Sequence, residues 1–198
     1  MSLMSVLFAP NGRINPGQFQ TGALVLLGIG FVLALLPLTG NAAMMGVQTL
    51  IGLIMIYPWV VLWRKRLHDN GKTGWFLLLI LLVWFILSAI GGQIVTLMFA
   101  GDMMQAMQEV GGFAEMMQAQ AQIAQELALP SAISSLIVGL IVVFGANALL
   151  KSDPETNKYG PPVGAAPEAP VADAAPVAEA PAEDAPAEGE DAGDKPAS

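Results

Sequence analysis

The sequence predicts an all-α membrane protein: four transmembrane helices arranged as two hairpins, N-in/C-in, with a disordered acidic C-terminal tail. Three observations carry this. The 198 residues are 55% hydrophobic and 12% charged, with mean hydropathy +0.61, more apolar surface than one soluble core of this size can hide. The basic residues fall in three places only, namely Arg13, then Arg64, Lys65, Arg66 and Lys72, then Lys151, Lys158 and Lys195. The stretches 14–63 and 73–150 between them hold no base, and each is long enough for two crossings. Short loops rich in Lys and Arg stay inside, so the chain is expected to start inside, cross four times and end inside. Finally, the formal charge of -8 comes from one end, where the segment after residue 160 sets nine acids against Lys195.

The membrane domain is assigned to residues 1–160 and the tail to 161–198. A helix rises about 1.5 Å per residue through a hydrocarbon core about 30 Å thick, so roughly 20 apolar residues make one span. Four segments qualify: about 20–38, with Pro37 in the exit turn; about 42–63, interrupted by Gln48 and Pro58; about 74–100; and about 131–150, followed at once by Lys151. The third exceeds what the bilayer requires and is expected to tilt or overrun the far interface. Trp63 and Trp75, at the inner ends of the second and third spans, are expected as interface anchors. Ser88 with Gly92, and Ser135 with Gly139, place small residues at i, i+4 where helices can approach closely.

Residues 101–130 form an outer-side insertion with no base, four acids and five methionines. Met103, Met107, Val110, Ala114, Met117, Ala121, Ala124 and Ala128 recur at three- and four-residue steps, which predicts an amphipathic helix broken at Gly111 and Gly112. It is expected as a helical hairpin or a surface-lying helix. Met103, Met104, Met107, Met116 and Met117 offer thioethers of the kind that bind Cu(I), but a soft apolar face against lipid or helices is the simpler reading. The tail of Ala, Pro, Glu and Asp has too little apolar surface to offset ordering entropy and is expected to be disordered.

The densest polar cluster of the membrane domain lies at 63–75, WRKRLHDNGKTGW. Asn70-Gly71 signals a tight reversal there. Arg64, Lys65, Arg66 and Lys72 are expected at head-group depth, each worth about 1 kcal/mol against an anionic leaflet. His68 and Asp69 invite a catalytic or metal reading. A metal needs three or four ligands, yet there is one histidine and no cysteine, so neither a metal nor a cofactor is expected. With no nucleophile or second carboxylate nearby in sequence, catalysis is not expected either.

Three blocks resemble the bacterial domain-of-unknown-function 805 family (DUF805) of small inner-membrane proteins: LFAPNGRINPGQF at 7–19, KRLHDNGKTGWFLLL at 65–79 and NKYG at 157–160. In the middle block Arg66, Leu67, His68, Asp69, Gly71, Gly74 and Trp75 reproduce the family signature. In the first, Gly12, Arg13 and Phe19 match, while Pro16 and Gln20 replace an Arg and a Trp. The resemblance implies a helical protein of a bacterial inner membrane with cytoplasmic motifs, and no agreed activity. Because all three blocks fall on the cytoplasmic side of the charge-derived topology, Arg13, the 66–75 loop, Asn157 and Tyr159 are expected to pack as one polar cap, with Asp69 pairing an arginine.

The function expected is a non-enzymatic integral membrane protein whose cap, comprising Arg13, Arg64, Lys65, Arg66, His68, Asp69, Lys72, Trp75, Asn157 and Tyr159, binds anionic lipid head groups or a protein partner. Nucleic acid is not an expected partner. The alternative is a small transporter or channel component working as a homo-oligomer, although Gln48, Gln93 and Asn147 are the strongly polar residues of the spans and ion-coupled pathways usually carry ionisable ones. A third reading is lipid head-group chemistry at His68 and Asp69.

Overall fold

The computed structural model describes residues 2–101 and 111–164. Among these every named element is helical: α1 (Leu3–Phe8), α2 (Pro16–Ala34), a 3-10 turn (Leu36–Thr39), α3 (Ala42–Asp69), α4 (Phe76–Phe99), α5 (Phe113–Glu126) and α6 (Ala128–Leu149). Asn157 and Gly160 make an isolated backbone bridge. Four helices, α2 with its 3-10 turn, α3, α4 and α6, are long and apolar enough to cross a membrane. The tail expected at 161–198 falls, from 165 onward, outside the described residues, as do Met103, Met104, Met107 and Val110.

Helix ends depart from the hydropathy limits where local chemistry sets them. α2 begins at Pro16, ahead of the expected 20, because Asn15 and Gln18 form a capping box and proline suits the first helical position. α3 runs to Asp69, so Arg64, Lys65, Arg66, His68 and Asp69 lie on helical turns rather than in a loop. Arginine and lysine are good helix formers, and cations favour a helix C-terminus. The stop comes at Asn70-Gly71. Gly71 adopts φ +70°, its N–H bonds His68 O at 3.1 Å, and Lys72 N–H bonds Leu67 O at 2.9 Å. This is a Schellman termination, and it opens the short turn, residues 70–75, through which the chain passes from α3 into α4.

α2 packs against α3 and α6, and α4 against α6. The core gathers Val6, Leu7, Phe19, Ala23, Leu26, Leu62, Trp63, Val138, Val142 and Val143. Trp63 is therefore no interface anchor. It is 5% exposed and packs against Phe19 with ring centroids 4.5 Å apart and planes tilted by 57°. Trp75 is 78% exposed, as an anchor requires. Of the small-residue pairs, Gly139 makes a close contact, since a Cβ there would collide with Leu27 Cδ2. Gly92 faces open space, and the α4–α6 approach falls one residue earlier, at Gly91 against Ser134.

α5 starts after Gly112, where the break was expected, and none of its residues is buried. Pro130 has no N–H for the Glu126 carbonyl, which separates α5 from α6. Gln125 Nε2 donates to Leu38 O at 3.4 Å, tying the insertion to the 3-10 turn.

Candidate functional site

One carboxylate organises the end of the bundle where α2 starts and α3 and α6 finish. Asp69 Oδ1 accepts from Arg13 Nε at 3.3 Å, and Oδ2 accepts from Arg66 Nη1 at 2.6 Å and from Ser152 Oγ at 2.5 Å. Arg66 is fully buried, and Arg13 and Asp69 are each 2% exposed. Two buried guanidiniums thus share one counter-charge, and a third buried cation, Lys65, has none among the described residues. Helix ends supply the remainder. Arg66 donates from Nε to Asn147 Oδ1 at 2.7 Å and from Nη2 to Leu150 O, at the C-terminus of α6. Lys65 Nζ donates to Ser5 O and Val6 O, carbonyls near the C-terminus of α1. Each cation meets the negative end of a helix dipole; Leu150 O lies past the last turn of α6, while Ser5 O also accepts from Ala9 N–H. Tyr57 does the same uncharged, its hydroxyl donating to Phe8 O at 3.0 Å.

The segment after α6 is laid over this cluster as a strap. Arg13 Nη1 donates to Glu155 O at 2.8 Å and Gly160 O at 3.1 Å, and Nη2 donates to Asp69 O and Asp153 O. Asp153 N–H donates to Asp69 O at 2.8 Å, and Asn70 Nδ2 donates to Lys151 O. Asn157 Nδ2 reaches His68 O at 3.2 Å and Asp153 Oδ2 at 3.0 Å. The Tyr159 ring lies flat on His68, centroids 3.6 Å apart and planes within 2°. Asp153 is held below its ordinary range by the Asn157 amide and then by the Glu155 N–H.

Of the residues singled out in the sequence, Arg13, Arg66, His68, Asp69, Asn157 and Tyr159 meet in this cap. Lys65 is also buried but turned to α1. Lys65 and Arg66, expected at head-group depth, are instead buried, Lys65 bonded to two α1 carbonyls and Arg66 to Asp69, Asn147, Leu150 and Ser152. Arg64 is exposed, Lys72 is half-buried with Nζ 4.5 Å from the Phe76 ring centroid, and Trp75 is exposed. These three border the 72–76 turn, with Arg64 Cγ beside Gly74. Exposed Lys151 and Lys158 lie on the strap. Sequence reasoning missed Ser152, Asp153, α1 and the role of Asn147. A lone amide in an apolar helix, four residues before Lys151, was the signal for the last.

The sequence profile of a family described as a protein of unknown function, DUF805, matches residues 7–161. The chain belongs to this family. The DUF805 match begins just before Arg13 and closes just after Gly160, so it encloses every side chain of the cap. No curated protein and no solved structure matches the chain. Among the described residues of this DUF805 protein, no group of three His, Cys, Asp or Glu side chains is placed to hold a metal ion.

Proposed function

We infer that this multi-pass membrane protein is a non-enzymatic component of the bacterial inner membrane, its spans paired as two hairpins with both termini cytoplasmic, and that its cap presents a basic rim to anionic lipid head groups. One observation carries the reading: the cations of the described residues divide into two sets. Arg13, Lys65 and Arg66 are buried and spent on Asp69 and on helix carbonyls. Arg64, Lys72, Lys151 and Lys158 remain outside on the same end, where each cation contributes about 1 kcal/mol near an anionic leaflet. Charge asymmetry supports this sidedness, since the opposite end carries no base. Against chemistry at His68 and Asp69 stands their occupancy. Both Asp69 oxygens are bonded to arginine or serine, and His68 lies under Tyr159.

The test is native mass spectrometry of the protein released gently from its own membrane, comparing wild type with Arg64→Gln/Lys72→Gln. A co-purifying anionic phospholipid that is lost in the variant is the expected result. Equal lipid retention in both, or a protein bound in fixed ratio in its place, overturns it in favour of an adaptor.

A further inference from the structure

α4 touches the bundle in two zones and leaves a gap between them. Near the cap Leu77 and Ile80 pack on the core, and farther along Leu87 packs on it, Gly91 meets Ser134, and Val95 is buried. Between these zones, residues 81–86 are each at least 45% exposed: Leu81 47%, Leu82 54%, Val83 45%, Trp84 47%, Phe85 66% and Ile86 49%. Six successive helical residues point through more than one full turn, so no face of α4 is closed against its neighbours there. The result is a lateral window about 9 Å long, bounded above and below by packed side chains. It starts about 9 Å below Trp75 along the helix, on the helix that follows the turn carrying Lys72, against which Arg64 of α3 lies at Gly74.

We propose that this window and the rim above it form one site for a two-chain anionic phospholipid, with the phosphate between Arg64 and Lys72 and an acyl chain laid across residues 81–86. The proposal rests on the head-group reading above and narrows it. Cations at head-group depth attract any anionic surface, but an opening directly below them adds a requirement for a hydrocarbon chain. The spacing fits, because Trp84 lies about 14 Å along the helix from Trp75, inside the hydrocarbon layer occupied by the acyl chains of a lipid whose phosphate is at the level of the 72–75 turn. Charge complementarity selects the occupant from the surrounding lipid. Two rim cations favour an anionic over a zwitterionic head group by roughly thirtyfold.

Trp84 reports the site. The full chain is reconstituted in phosphatidylcholine vesicles holding a small, equal fraction of mid-chain brominated phosphatidylglycerol or brominated phosphatidylcholine, and Trp84 emission is obtained as wild type minus Trp84→Phe. Stronger quenching by the brominated anionic lipid, equalised in Arg64→Gln/Lys72→Gln, is expected. Equal quenching in the wild type means bulk lipid fills the window and overturns the site. No quenching by either lipid means protein covers the window, a second copy included, and overturns it equally. A phosphatidylglycerol bearing a mid-chain diazirine needs no variant: crosslinks are expected within residues 81–86, and crosslinks spread evenly over α3, α4 and α6 refute the proposal. If the window fails while native mass spectrometry still finds a rim-dependent anionic lipid, head-group binding survives without an acyl site.

Discussion

At the cap, Arg66 and Asp69 meet at 2.6 Å with side chains 0% and 2% exposed, whereas at the opposite end of the bundle Gln125 reaches Leu38 O at 3.4 Å on an exposed surface. Among the described residues, the far end is otherwise held by steric fit, Gly91 against Ser134 and Ala128 and Ala132 buried. A network of charged partners is all-or-none, because removing one member strands the others without water. Contacts between small apolar groups fail one at a time. The two ends therefore differ in how they respond to change more than in how tightly they pack.

The largest effect that would sharpen this contrast is Asp69→Asn. It leaves Arg13 and Arg66 buried without a counter-charge, and unfolding in detergent is expected to show a loss of about 3–5 kcal/mol; Gln125→Ala should stay within about 0.5 kcal/mol. Similar losses in the two variants would break the comparison. Next comes Gly139→Val, midway along the bundle, where Leu27 must move. A cost of about 1–3 kcal/mol is expected in the same assay, against near-neutrality for Gly92→Ala, which faces open space.

A smaller effect tests the α3 stop. Gly71 sits at φ +70°, and Gly71→Ala should cost about 1–2 kcal/mol, with Gly71→Asn restoring part of it because asparagine tolerates that conformation. The smallest concerns pH. The Asp153 carboxyl is held below its ordinary range by Asn157 and the Glu155 N–H, so its contribution to the strap is fully present above about pH 4 and is lost as pH falls through its lowered value. The Asn157 side-chain amide resonance should shift between about pH 5 and pH 2, and Asp153→Asn should abolish the shift.

Much of this fold was legible because lipid imposes a simple rule. Long apolar runs punctuated by charge locate α2, α3, α4 and α6 without any knowledge of packing. Helix limits were less legible, since hydropathy marks where lipid ends while Asn15, Pro16 and Gly71 mark where hydrogen bonding ends. At the cap, charge and motif placement predicted that three distant segments meet. They gave no indication of which cations turn inward, because Arg64, Lys65 and Arg66 are adjacent and differ only by about 100° around α3. Strap residues Ser152 and Asp153 act largely through backbone and short side chains, which leave no trace in periodicity. α1, six residues long, is below the length at which hydropathy speaks.

The separation in sequence between Arg66 and its partners has a consequence for biogenesis. Its bonds run to Asn147, Leu150 and Ser152, and Arg13 waits further still for Gly160. At about 5–20 residues per second of synthesis, Arg66 precedes those partners by several seconds. During that interval Arg13 and Arg66 lack their partners on the last helix and the strap, with Asp69 alone available to them. In the orientation proposed here they act first as determinants of sidedness, holding the first two spans in register against the inner leaflet. Only when the last helix has crossed does its C-terminal segment close over them, so that one set of charges directs insertion early and locks its outcome late.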